Sequence, residues 1–156
     1  MRPFELVIDE HGPAVFRFCA GRVGRDRAED CFQETMLAAL RGYPEVREEK
    51  AVKAWLFTIA SRKSIDFYRA GDRTPEPTDL VEPVVSRRSE DQPGSADIWS
   101  LVDDLPVKQC EAIHLRYRAG LSHREVGEVM ATSEAAARRS VFEGLRRLRE
   151  ESGSWA

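Results

Sequence analysis

The chain has 156 residues, 42% of them hydrophobic and 33% charged, with a net charge of −3. That composition belongs to a charge-rich globular protein of one domain or two small ones. It excludes a membrane-spanning helix, since no apolar run approaches the ~18 residues such a helix needs, and the net charge argues against a nucleic-acid binder, although its distribution along the chain matters more.

The start, "MRPFELVIDEHG", is interrupted by acids and has no signal-peptide core, which predicts a cytoplasmic protein. Helix signals run from Phe4 to about Cys19, with Gly12-Pro13 as a candidate break. "GRVGRD" predicts a turn, and Asp26 three residues before Glu29 predicts a capping-box-like helix start. Ala28, Cys31, Phe32, Met36, Leu37 and Leu40 then follow a 3.6 period to about Arg41. Asp30, Gln33 and Glu34 form a polar face beside them. It is either a solvated face or a docking surface for a large partner, where polar and apolar groups mix.

"GYPEVREEK" predicts a loop, and a long helix covers roughly residues 51–69. Val52, Trp55, Leu56 and Ile59 mark its buried face. Arg62, Lys63 and Arg69 then arrive among Phe67 and Tyr68. Rings beside cations suit single-stranded nucleic acid, whose bases stack on rings while cations hold phosphates. The alternative is a core Trp55 and cations that are merely solvated.

Residues 71–96 differ in kind. Pro75, Pro77, Pro83 and Pro93 fall there, with few apolar anchors and no helical period. Residues 71–100 hold 3 Lys/Arg against 7 Asp/Glu, whereas 1–70 hold 12 against 11 and 101–156 hold 9 against 9. This predicts an acidic tether between two helical blocks. In the second block, Pro106 suits the first turn of a helix to about Arg118, and "AGL" ends it. Ser122 and Glu125 form a second capping box, opening a short helix through Met130. "ATS" turns the chain into a last helix over about 134–150, completing a helix-turn-helix pattern. Ala137, Val141, Leu145 and Leu148 face a core. Arg138 and Arg139 lie near the helix start, the part that enters the major groove in such motifs. A solvated amphipathic helix is the alternative.

Cys19, Cys31 and Cys110 show no C-x-x-C and no metal-ligand spacing, which predicts buried free thiols and no metal site. His11, His114 and His123 have no acid or nucleophile at a recognisable spacing, and no Gly-rich phosphate loop exists, so no enzyme is predicted.

Read in order, "AEDCFQETMLAAL", "KAWLFTIASRKSIDFYRA", the acidic tether and "LPVKQCEAIHLRYRAGLSHREVGEVM" resemble the extracytoplasmic-function sigma factors, the smallest of the sigma-seventy family. The resemblance covers about residues 4–70 and 98–150. It implies an all-α chain: sigma domain two at 1–70, a linker at 71–96, and helix-turn-helix sigma domain four at 97–156. It implies a transcription initiation factor that binds core RNA polymerase and promoter DNA, is held by an anti-sigma factor, and uses no cofactor. By motif match, Asp30, Gln33, Glu34 and Leu37 dock on polymerase, and Trp55, Arg62, Lys63, Asp66 and Arg69 meet the minus-ten element. Ser133, Glu134, Arg138, Arg139, Phe142 and Glu143 meet the minus-thirty-five element. Three positions depart from the family's habit: Ala131 stands for Gly, Ala136-Ala137 for Thr-Val, and Glu143 for a residue that is often basic. If residue 131 needs a positive φ, alanine costs about 1 kcal/mol there. A stand-alone helix-turn-helix regulator is the competing reading.

Overall fold

The computed structural model describes residues 1–72 and 93–152. The regular elements among them are all helical, and the chain divides into two compact units, Met1–Gly71 and Asp72–Ala156.

In the first unit, α1 spans Phe4–Val23, α2 Arg25–Gly42 and α3 Val52–Asp72. Helix α1 buries Phe4, Val7, Val15, Phe18, Cys19 and Val23, a stripe at helical spacing. The candidate break at Gly12-Pro13 does not occur, because α1 passes through Pro13. Pro13 leaves the Asp9 carbonyl without its usual donor, but both residues lie on the exposed side. That side is open to solvent, and buried residues before and after Pro13 hold the helix on course.

The predicted turn at 21–26 shrinks to Gly24 alone. With φ 93° and ψ 159°, Gly24 occupies a region that glycine enters at little cost. Its N–H donates to the Ala20 carbonyl at 3.0 Å. Helix α2 therefore starts at Arg25 with no side-chain cap, and the box expected from Asp26 and Glu29 does not form. So short a link packs α1 directly against α2.

Helix α3 joins them through Phe57, whose ring meets Phe18 edge-on at 5.8 Å and 88°. A small polar layer lies beside the rings. Cys31 Sγ is 3.6 Å from Ser64 Oγ, and the Thr35 and Ser64 hydroxyls donate to carbonyls one turn back, each at 2.8 Å. The buried Cys19 and Cys31 thiols interact, which chiefly draws the Cys31 thiol below its usual pKa and pushes the Cys19 thiol above it.

The predicted loop at 42–50 contains two single turns, Tyr43–Glu45 and Glu49–Ala51. The Tyr43 ring contacts both Phe4, at 5.2 Å, and Trp55, at 6.3 Å. Its hydroxyl donates to the Arg2 carbonyl at 2.5 Å. Trp55 thus pins a loop at the edge of the unit and is only half-buried.

In the second unit, α4 spans Pro93–Asp103 and α5 spans Val107–Ile113, running on as a π-helical turn over His114–Arg118. Helices α6, His123–Met130, and α7, Glu134–Ser152, follow. Helix α4 starts four residues inside the predicted tether, and tether residues 73–92 lie outside the described residues. Pro106 precedes α5 as its N-cap rather than entering its first turn. The core gathers Val102, Leu105, Cys110, Ile113 and Leu148, with Trp99, Leu101 and Leu145 packed against it. The second predicted capping box forms in full: the Glu125 N–H donates to Ser122 Oγ at 3.1 Å, and the Ser122 N–H to Glu125 Oε1 at 2.9 Å.

The turn between α6 and α7 is tight. A Cβ on Gly127 would lie 2.9 Å from the Thr132 carbonyl oxygen and 3.0 Å from that of Ser133. Ala131 is left-handed, with φ 58° and ψ 46°, so the expected strain is present. Ala131→Gly should relieve about 1 kcal/mol and raise the melting temperature of the second unit by roughly 4–8 °C in a calorimetric scan. Gly127→Ala should lower it, because the added methyl meets backbone that cannot move aside.

Candidate nucleic-acid interface

The period of α2 sets its exposed face. Asp30, Gln33, Glu34 and Leu37 are all exposed and recur at i, i+3, i+4 and i+7, so they form one stripe. Leu37 and Leu40 are each 52% exposed, although the sequence pattern placed them with the core residues. Phe16 of α1 is also exposed, and its ring meets Phe32 at 5.6 Å. The acidic stripe thus includes an exposed Leu37 with exposed Leu40 beside it, a composition suited to protein docking.

On α3 the buried residues are Val52, Ala54, Leu56, Phe57, Ala60, Ser61 and Ser64, while Trp55 and Ile59 are half-buried. Trp55, Arg62, Asp66 and Arg69 share a second stripe at spacings of seven, four and three. Arg62, Asp66 and Arg69 are exposed. Lys63 sits at the edge of this stripe, and its Nζ is 3.8 Å from Glu34 Oε1 on α2. The stripes on α2 and α3 therefore adjoin. The predicted mixture of rings and cations does not form one pocket. Tyr68, 49% exposed, points about a third of a turn away from the cationic stripe. Phe67 is half-buried beneath the Arg27 guanidinium, which lies 5.5 Å from its ring centroid and donates to its carbonyl. Trp55 is the aromatic residue that shares the stripe.

In α7, Ala137, Val141 and Leu148 are buried and Leu145 is half-buried. Ser133 caps the helix, accepting from the Ala136 N–H at 3.0 Å. Glu134 binds Arg138 at 2.8 Å, and the Arg138 guanidinium also lies 3.3 Å from His123 Nδ1 on α6. Burial first, and the Arg138 charge second, hold the His123 ring below its usual pKa. Neutral His123 accepts from Arg138 and fixes it at the mouth of the turn. Arg139 is exposed, Phe142 is 64% exposed, and Glu143 is half-buried at the stripe's edge. Arg146 and Arg149, absent from the site read in the sequence, continue the same exposed stripe. The available signal was their spacing, Arg146 seven residues after Arg139 and Arg149 eleven after Arg138.

Comparison with known proteins decides what these surfaces belong to. Residues 7–74 match the model for sigma-70 region 2, and residues 101–150 match that for sigma-70 region 4. The ECF RNA polymerase sigma factor ShbA of Streptomyces griseus is 30% identical over 154 residues, spanning 88% of this chain and 81% of that protein. This chain belongs to the ECF sigma factors of the sigma-70 family. The sigma factor SigV of Bacillus subtilis is 26% identical, over 91% of this chain and 86% of that one. A solved Bartonella quintana sigma factor, RpoE bound to the anti-sigma factor NepR, shares the fold at a TM-score of 0.76 and 22% identity. That match covers 98% of each chain. The sigma factor described here is a transcription initiation factor that binds core RNA polymerase and directs it to promoter DNA. Its family is not one of enzymes. No helix among the described residues is long and apolar enough to cross a membrane.

The exposed cations contribute little to folding, because a surface pair such as Lys63–Glu34 is worth at most about 1 kcal/mol. Arg62→Ala, Lys63→Ala and Arg69→Ala should each keep the melting temperature within a few degrees by circular dichroism. A collapse in any of them would assign that side chain to the fold instead.

Proposed function

We propose that the α2 stripe of Asp30, Gln33, Glu34 and Leu37 is the polymerase-docking surface, and that the α3 stripe of Trp55, Arg62, Lys63, Asp66 and Arg69 engages the opened minus-ten DNA. The observation that carries this reading is the exposure of both stripes on adjoining helices, linked by Glu34 and Lys63. Docking α2 on polymerase presents α3 to the strand that the polymerase opens. Arg62, Lys63 and Arg69 hold phosphates there, and Trp55 offers a ring at one end. Residues 1–70 act as domain two and 97–156 as domain four, with 71–96 as the acidic tether between them. The protein works in the cytoplasm and carries no catalytic activity of its own. An anti-sigma factor covers the apolar residues around Leu37, Leu40 and Phe16 when the sigma factor is idle. Their exposure supports this, and a structural relative is solved with such a partner. A stand-alone regulator has no use for the first unit.

Glu34→Ala also releases Lys63, so Gln33→Ala with Leu37→Ala isolates docking more cleanly. This double variant should bind core polymerase some 5–150-fold more weakly in a titration, the equivalent of roughly 1–3 kcal/mol, with its helical spectrum intact. Unchanged affinity would remove α2 from the docking surface.

For minus-thirty-five DNA, Ser133, Glu134, Arg138, Arg139, Phe142 and Glu143 present the start of α7 to the major groove, and Arg146 and Arg149 extend it along the backbone. Glu143 at the edge of this basic stripe repels phosphate. Glu143→Gln should therefore strengthen holoenzyme binding to duplexes of many sequences alike. A loss confined to the best site, with preference relaxed at one base pair, would show that Glu143 reads a cytosine amino group instead.

A further inference from the structure

Three side chains of metal-binding chemistry meet beside the core of the second unit. Asp103 ends α4, and Cys110 on α5 stands four residues before His114, which opens the π-helical turn that continues it. His114 and Cys110 are buried, and the Asp103 side chain is 16% exposed. His114 Nε2 lies 3.1 Å from Asp103 Oδ1, and Cys110 Sγ lies 3.9 Å from the same oxygen. The three ligand atoms all fall within 4.8 Å of one another. Tetrahedral zinc bound by sulfur at about 2.3 Å and by nitrogen and oxygen at about 2.0 Å needs its donors roughly 3.2–3.8 Å apart. The atoms present are within about an ångström of that arrangement.

We propose that Asp103, Cys110 and His114 form a zinc-binding site that fastens the end of α4 to α5. The mixed sulfur, nitrogen and oxygen set suits borderline-soft zinc and disfavours calcium or magnesium, which take oxygen ligands. The three ligands leave the fourth tetrahedral position to water, on the side where Asp103 meets solvent. The thiol and imidazole point at a single carboxylate oxygen, so an ion entering between them takes the place of their protons. Cys110 binds as thiolate and gives its proton to solvent. Neutral His114 binds through Nε2 and carries its remaining proton on Nδ1. The Trp99 ring lies 5.0 Å from the imidazole at 34°, which holds its plane, and the Arg118 guanidinium sits 4.0 Å over Trp99. This site stands apart from the α7 stripe and does not rest on the promoter-binding assignment.

The test uses the full chain, reduced and stripped of metal, titrated first with cobalt(II) and then with zinc. One cobalt per chain should give the absorption of a tetrahedral ion with a thiolate charge-transfer band, and zinc should abolish it. Zinc at a hundredfold excess over its Kd should raise the melting temperature of the second unit by roughly 10 °C or more. Cys110→Ser should remove the thiolate band, and Asp103→Asn, which keeps the side chain's size, should weaken zinc binding at least tenfold. If Cys110→Ser does not fold, the wild-type titration and Asp103→Asn still decide. No cobalt spectrum from the folded wild-type chain, or zinc affinity unchanged in Asp103→Asn, would reduce the cluster to a hydrogen-bonded trio without a metal. A thiolate band that persists in Cys110→Ser would place the metal at Cys19 and Cys31 and overturn the assignment.

Discussion

The edge-on contact between Phe18 and Phe57, 5.8 Å between ring centres, is what makes the first unit a single working surface. Both rings are fully buried, and each comes from a different helix. Losing a buried aromatic typically costs ~3–5 kcal/mol, a large part of the stability of so small a unit. With α3 held there, the exposed residues of α2 and α3 have fixed positions relative to one another. Glu34 and Lys63 then meet as a consequence of packing and contribute little to it. Under the proposed assignment this rigidity matters, because one helix grips polymerase while its neighbour presents cations to DNA.

The second unit depends on backbone more than on rings. Gly127 lets two carbonyls approach to distances that a methyl group would forbid, and Ala131 closes the turn in a conformation that alanine resists. The turn holds because its neighbours over-determine it. The Ser122–Glu125 box fixes the start of α6, Ser133 caps α7, and Thr132 donates to the Gly127 carbonyl at 2.8 Å. Arg138 is then positioned by Glu134 and by neutral His123. A guanidinium restrained in this way loses less entropy on meeting any partner than one that swings freely.

Net charge is a poor guide to such a protein. The total of −3 hides a run of arginines along one face of α7 and an acidic surplus over 71–100. Fields over a surface depend on where charges sit, and salt screens them within about 10 Å. An acidic total is therefore compatible with a face that binds phosphate.

The sequence by itself determined the helical class, the family and the Ser122–Glu125 box, because each is written in neighbouring residues at fixed spacing. The polar face of Asp30, Gln33 and Glu34 was legible for the same reason, whereas the left-handed turn at Ala131 was raised by the family resemblance and decided by the fold. Tertiary structure decided whatever depends on which faces meet. It carried α1 through Pro13 because that residue lies on the wet side, and it replaced an expected capping box with the backbone of Gly24. It set Phe67 beneath Arg27, rotated Tyr68 away from the cationic stripe, and turned Leu37 and Leu40 to solvent. It also brought Asp103 onto Cys110 and His114. No spacing rule announces that meeting, since a turn between α4 and α5 sets the distance and packing of the core sets the angle.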